Sequence, residues 1–113
     1  MTRNDPPFTI GVEEEYLLVD KETRSLVIDP PASLISECEE LLGSQVTTEL
    51  LQSQIEIGTK VCANVQEARE DLVRLRKSIV EVTGRHGLAP IACSTHPFSL
   101  WSEQKHTRKD RYE

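Results

Sequence analysis

The chain has 113 residues, of which 37% are hydrophobic and 28% charged, as is typical of one modest globular domain. No stretch approaches the ~20 apolar residues of a membrane span and no signal-peptide run precedes residue 8, so a cytoplasmic protein without a membrane partner is expected. The net charge is −6, and residues 1–60 hold 12 acidic but only 4 basic side chains, so nucleic acid is not expected as a partner.

The first predicted element is a strand in the apolar run of residues 8–19, which contains three consecutive carboxylates. Successive side chains of a strand alternate between faces, so Glu13 and Glu15 point the same way, while Glu14 joins the apolar face. Carboxylates about 6.6 Å apart along a strand can bind one hard cation or a close pair of cations. Like charges on a semi-buried face are costly without a cation, although a charge run also fits a solvated surface strand.

Turn residues and helical spacing predict the next elements. A polar turn at residues 20–25 leads to a short return strand at residues 26–28. The Asp-Pro-Pro sequence at residues 29–31 ends this strand, because proline cannot donate to a sheet. Apolar residues at three- and four-residue spacing then predict an amphipathic helix over residues 33–42, capped by Gly43.

Two β-rich runs follow, at residues 46–50 and 54–59, and each contains one glutamate. Glu49 and Glu56 are seven residues apart and would face opposite sides of one uninterrupted strand. A site shared by both therefore requires a bulge or bend near residues 51–53.

Residues 64–86 form the longest predicted helix. Asn64 followed by Glu67 resembles a capping box with Asn in place of Ser or Thr, and Gly84 or Gly87 is expected to end the helix. Apolar side chains recur at intervals of three and four residues, so one face is expected to pack on a sheet. The residues of this face are Val65, Ala68, Leu72, Leu75, Ile79, Val82 and, as a packed or capping residue, His86.

A last strand is predicted at residues 88–93, where Pro90 favours an edge position, and residues 94–98 leave it as a loop. The element order is then β-β-α-β-(β)-α-β. This order predicts an α+β domain with a mostly antiparallel sheet and helices on one face. Residues 1–7 contain two prolines and no periodic pattern, and are expected to form a disordered tail.

The three cysteines are widely spaced and form no C-x-x-C pair. Neither a disulfide framework nor a zinc site is therefore indicated. Reduced and mostly buried thiols are expected at Cys38, Cys62 and Cys93.

Several short motifs carry the polar chemistry of the chain. They are Gly11-Val12-Glu13-Glu14-Glu15-Tyr16, Thr47-Thr48-Glu49, Gln54-Ile55-Glu56-Ile57, Ser94-Thr95-His96-Pro97-Phe98 and Arg111-Tyr112. In this order and spacing they resemble the N-terminal part of the glutamate–cysteine ligase type 2 family of carboxylate–amine ligases. Because members of that family are several hundred residues long, the resemblance implies that residues 8–113 are the N-terminal portion of a catalytic domain.

The resemblance implies a fold similar to that of glutamine synthetase, with ATP and magnesium bound on one face of an antiparallel sheet. Such an enzyme uses ATP to convert the γ-carboxylate of glutamate into an acyl phosphate, and an amine then attacks to form a γ-glutamyl amide. The implied partners are small molecules, namely glutamate and cysteine or another amine. An unpaired sheet edge would also allow a homo-oligomer.

The resemblance assigns the metal ligands. Glu13 and Glu15 match the family's G-[IV]-E-x-E carboxylates, and Glu49 and Glu56 match further acidic positions that hold magnesium. Magnesium prefers oxygen ligands, so the chemistry of these side chains agrees with the assignment. The sequence contains no glycine-rich phosphate loop, and phosphates would therefore be held by metal ions and separate basic residues.

Three further residues are candidates for the catalytic and ATP-binding site. His96 is a candidate catalytic residue that could orient a substrate carboxylate or the acyl phosphate, but a histidine before proline is as often a structural loop residue. Thr95, a candidate ATP-binding residue, has the same two interpretations. Arg111 is a candidate for both roles, because a guanidinium can clamp a phosphate or a carboxylate through two hydrogen bonds.

The sequence is also compatible with a second class of function. The chain would then be a non-catalytic acidic α+β module, or an inactive fragment, that binds a partner or a divalent ion. Metal-dependent binding of ATP distinguishes the ligase from this alternative.

Overall fold

The computed structural model describes residues 6–49 and 51–107, which form a four-stranded antiparallel sheet with two helices on one face. The strand order in the sheet is β2-β3-β1-β4, and the α+β prediction is confirmed. Single turns of 3-10 helix lie at Gly43–Gln45 and Trp101–Glu103. The main elements are β1 (Glu13–Asp20), α1 (Ala32–Leu42), β2 (Val46–Thr48), β3 (Gln54–Gly58), α2 (Val65–Arg85) and β4 (Leu88–Ile91).

Strand β1 begins at Glu13, and the prediction that it begins at residue 8 is wrong. Its neighbour β3 ends at Gly58, which lies opposite Glu13, so the residues before Glu13 have no regular strand partner. Ile10 forms only an isolated bridge with Cys62, and Phe8 is exposed. Of the predicted disordered tail, residues 1–5 lie outside the described residues.

The predicted return strand at residues 26–28 forms only an isolated bridge, between Leu26 and Val19. The Val27 amide donates to the Leu18 carbonyl at 2.9 Å, and the pairing ends there. The prolines that follow at residues 30–31 cannot donate to a ladder, which limits its extension.

Strands β2 and β3 form an antiparallel hairpin, in which Val46 lies opposite Ile57 and Thr47 opposite Glu56. The chain reverses between β2 and β3, with a turn at residues 52–53 within the region where a bulge or bend was predicted. Residues 104–107 hold this turn in place: the Gln52 amide donates to the Lys105 carbonyl at 2.8 Å.

The core lies between the helices and the sheet. Tyr16 and Leu18 of β1 point toward the helices, as do Ile55 and Ile57 of β3, in agreement with strand alternation. Cys38 and Cys62 are fully buried free thiols, as predicted, and Cys93 is partly exposed. The core residues are Tyr16, Leu18, Leu34, Cys38, Leu42, Val46, Ile55, Ile57, Leu75, Ile79, Val82 and Leu88.

Both ends of α2 agree with the prediction. Asn64 Oδ1 accepts from the Glu67 amide at 2.9 Å, and Glu67 Oε2 accepts from the Ala63 amide at 2.8 Å. His86 is the C-terminal cap and pairs through Nε2 with Glu37 Oε2 of α1 at 2.6 Å, so it has the structural role expected.

The helices within residues 6–49 and 51–107 are too short or too polar to cross a lipid bilayer.

Candidate active site

The face of the sheet opposite the helices carries a cluster of glutamates. Strand alternation directs Glu13 and Glu15 of β1 to this face, as predicted. In the antiparallel register of β1 and β3, Glu15 lies directly opposite Glu56. Side chains of directly opposed residues have Cβ atoms about 4.5 to 5.5 Å apart, so these two carboxylates are held side by side.

Glu49 joins this pair because the hairpin reverses the chain. Thr47 lies opposite Glu56 in this hairpin. Glu49 follows Thr47 by two residues, so it lies on the same side of the sheet as Thr47 and Glu56. One carboxylate oxygen from each of Glu15, Glu49 and Glu56 lies within 4.8 Å of the other two. The parity conflict expected for a single strand is thus removed by the turn between two strands.

Glu13 completes the acidic face, which we define as Glu13, Glu15, Glu49 and Glu56. It lies opposite Gly58, and its Cγ atom is 3.8 Å from the position that a Cβ would occupy there. This is an ordinary contact distance, so the Glu13 side chain lies against β3 at this position. The four predicted metal ligands share one region of the sheet, and their role in metal binding stays a prediction.

The carboxylates of this cluster are close enough together to affect one another's charge. Contact with the Glu49 carboxyl group, burial, and the negative charges of Glu49 and Glu13 raise the pKa of Glu56 to about 7. A divalent cation would remove this repulsion, and an all-oxygen donor set suits magnesium. The residues present therefore fit the metal ion that the family resemblance implies.

Glu14 points to the opposite face, where it has a different role. It accepts from Arg76 Nε of α2 at 2.7 Å and from the Tyr16 hydroxyl at 2.5 Å. The Arg76 guanidinium lowers the pKa of Glu14, whereas burial and the bond to Glu14 raise the pKa of Tyr16 to about 12. This ion pair fastens α2 to β1, and no sequence motif had indicated Arg76 as the partner.

A pocket of about 200 Å³ opens beside the acidic face. Gln54 lines it and also donates through Nε2 to Glu15 Oε1 at 2.8 Å, so the pocket and the carboxylates are contiguous. Its lining is part apolar and part uncharged polar, apart from His96. The lining residues are Leu17, Leu26, Leu51, Gln54, Ser94, Thr95, His96, Ser99, Trp101 and Gln104.

His96 is buried in the wall of this pocket and both ring nitrogens have partners. Nδ1 accepts from the backbone amides of Phe98 at 3.3 Å and Ser99 at 3.2 Å. Because amides can only donate, Nδ1 carries no proton, and the Nε2 proton is donated to the Arg24 carbonyl at 2.9 Å. These contacts support the structural interpretation of His96, and its catalytic role stays a prediction.

The other two predicted site residues have fewer contacts. Thr95 lines the pocket with an exposed side chain, and its carbonyl accepts from the Cys93 thiol at 2.9 Å. Its role in ATP binding stays a prediction. Arg111 lies outside the described residues.

An acidic face on an antiparallel sheet, with a small pocket beside it, makes this α+β domain one that carries a candidate metal site. The sequence model of Glutamate-cysteine ligase family 2 (GCS2) matches residues 9–113. The chain therefore belongs to this family, a family of ligases.

Relatives named "Putative glutamate--cysteine ligase 2" agree with this result. The chain is 54% identical to the one from Jannaschia sp. (strain CCS1) and 50% identical to the one from Rhodospirillum rubrum, with 98% and 96% of the chain covered. It is 40% identical to the relative from Chloroflexus aurantiacus, with 96% of the present chain covered. The chain spans 29%, 29% and 27%, respectively, of the lengths of these relatives.

Proposed function

We propose that the chain supplies the metal-binding face of an ATP-dependent carboxylate–amine ligase, in which glutamate is activated as an acyl phosphate and captured by cysteine or another amine. The observation that carries this proposal is the convergence of Glu15, Glu49 and Glu56 from three chain segments onto one point of an open sheet face. A glutamine-synthetase-like arrangement and a cytoplasmic location belong to the same proposal.

Each segment makes a distinct contribution to the site. The paired strands β1 and β3 hold Glu15 and Glu56 in fixed directions, because a sheet allows little movement of its backbone. The turn supplies the third carboxylate, and Glu13 adds negative charge one position further along β1. Glu15, Glu49 and Glu56 would hold magnesium there, and the bound ion would supply the positive charge that lets a carboxylate approach a phosphate.

The adjoining pocket is suited to a small substrate. Its contiguity with Glu15 through Gln54 would place a bound molecule next to the phosphates of ATP. Holding two reactants next to each other removes much of the entropic barrier to their reaction. The pocket therefore accounts for substrate positioning, while the acidic face accounts for the metal ions.

The proposal is tested by titrating ATP into the chain with and without Mg²⁺, with calorimetry as the measurement. We expect binding only when Mg²⁺ is present, and at least a tenfold loss of affinity in Glu13→Gln and in Glu15→Gln, since each removes a charged oxygen ligand.

Glu14→Gln is a matched control, because it changes the neighbouring carboxylate on the opposite face of the same strand. We expect this variant to bind Mg²⁺ and ATP like the unmodified chain. Binding that is independent of Mg²⁺, or equal losses in all three variants, would contradict the proposal and favour the non-catalytic module.

A further inference from the structure

Gln54, the first residue of β3, makes two hydrogen bonds that connect separate parts of the acidic face. Its Nε2 donates to Glu15 Oε1 at 2.8 Å, and its Oε1 accepts from the Leu51 amide at 3.2 Å. The Leu51 amide can only donate, so the orientation of the Gln54 side-chain amide is set by its partners.

These two bonds connect β1 with the turn that carries Glu49. Gln54 lies opposite Leu17 in the sheet, and Glu15 is the next residue of β1 on the same face. The Glu15 side chain is exposed and is repelled by Glu56 and Glu49, so without a donor it would turn away into solvent. The Gln54 amide opposes this movement, because it holds one oxygen of Glu15 near the other two carboxylates.

We propose that Gln54 is a positioning residue that orients the Glu15 carboxylate for metal binding. This inference rests on the function proposed above. Side chains that hydrogen-bond to a metal ligand fix its orientation, and their loss commonly weakens metal binding by 10- to 100-fold. Gln54 would act in this way, by setting the direction of Glu15 without contacting the metal ion.

The turn itself has other attachments, so a substitution at Gln54 tests Glu15 and leaves the hairpin in place. The Ser53 hydroxyl donates to Gln104 Oε1 at 2.7 Å, and the Ser53 carbonyl accepts from the Leu18 amide at 2.8 Å. Leu51 also forms a bridge with His106. These contacts do not involve the Gln54 side chain.

The test is a titration of the chain with Mn²⁺, a divalent oxygen-seeking probe, followed by electron paramagnetic resonance of the free ion. We expect Gln54→Met, which keeps the length of the side chain but has no amide, to weaken Mn²⁺ binding by about tenfold or more. Gln54→Ala should do the same, and thermal unfolding of each variant shows whether it is folded.

The matched control is Gln66→Met. Gln66 Nε2 donates to Glu70 Oε1 at 3.2 Å on the exposed surface of α2, which is the same pair of groups in a different part of the molecule. We expect this variant to bind Mn²⁺ as tightly as the unmodified chain does.

A double substitution shows whether Gln54 acts through Glu15. If it does, Gln54→Met should change the affinity of the Glu15→Gln variant by less than twofold, because the group that Gln54 orients is already altered. A merely structural role of Gln54 would give the same tenfold loss in both backgrounds.

The outcomes separate this inference from the proposed function. Mn²⁺ binding that Glu56→Gln weakens but both folded Gln54 variants retain would overturn the inference alone. Equal losses in the two backgrounds would overturn it as well. No Mn²⁺ binding by the unmodified chain would overturn both the inference and the proposed metal site.

Discussion

At the scale of single residues, Asp71 of α2 is a buried carboxylate, and each of its two oxygens accepts two hydrogen bonds. Its Oδ2 accepts from the Lys60 amide and from Gln45 Nε2, both at 2.9 Å, and its Oδ1 accepts from Arg74 at 2.9 and 3.1 Å. Burial by itself raises the pKa of Asp71, but the Lys60 amide, Arg74 and Gln45 together lower it below its ordinary value.

We predict that Asp71→Asn lowers the free energy of unfolding at pH 7 by about 2 kcal/mol, because its NH₂ group would face donors. A carboxyl group with a depressed folded pKa stabilises the fold above its unfolded pKa of about 3.9, and this contribution is lost as the pH falls through the folded value. The difference between the two proteins should therefore shrink below about pH 4. Urea unfolding at a series of pH values measures it.

Glu70→Gln is the control, since Glu70 is an exposed neighbour on the same helix. We expect its effect to be within about 0.5 kcal/mol. A loss for Asp71→Asn that stays constant down to pH 3 would show that packing, and not the charge of Asp71, is responsible.

At the scale of elements, the start of α2 is a local structure that its own sequence specifies. We predict that Asn64→Ala lowers the free energy of unfolding by about 1 kcal/mol, because the Glu67 amide loses its acceptor. Asn64→Ser should recover most of that stability, since serine is also a good N-terminal cap. Thermal unfolding followed by circular dichroism measures both, and equal losses in the two variants would contradict a capping role.

At the scale of the whole molecule, the acidic face lowers the stability of the metal-free chain, because it crowds like charges that a metal ion would neutralise. The carboxylates of Glu15 and Glu56 are directly opposed, and like charges so placed cost about 0.2 to 1 kcal/mol. We predict that Glu56→Gln raises Tm in EDTA by about 1 to 5 °C. The reason is that the variant removes one of the repelling charges.

In the presence of Mg²⁺ we expect the unmodified chain, and not Glu56→Gln, to have the higher Tm. At a Mg²⁺ concentration 100 times Kd, the unmodified chain gains about 2.7 kcal/mol of stability from binding, and a variant without the site gains much less. Calorimetric scans in EDTA and in Mg²⁺ measure both effects. The same Mg²⁺-induced increase in both proteins would contradict a role for Glu56 in metal binding.

Much of this molecule could be predicted from the sequence, because period-two and period-3.6 patterns record which face of each element is buried. Strand alternation put Glu13 and Glu15 on one face and Glu14 on the other, and the spacing of apolar residues placed both helices. The start of β1 was harder to predict, because a strand can extend only as far as a neighbouring strand is available to pair with it. Ending β3 at Gly58 leaves residues 8–12 without a regular partner.

The tertiary structure alone decided which distant residues meet. The pairing of β2 with β3 placed Glu49 near Glu56, and the register of β1 with β3 set Glu15 opposite Glu56. It also gave the His96 Nε2 atom a partner, the Arg24 carbonyl, that lies 72 residues earlier in the chain. The physical reason is that local patterns report burial of each element, whereas register and turn geometry depend on contacts between residues that are far apart in the chain.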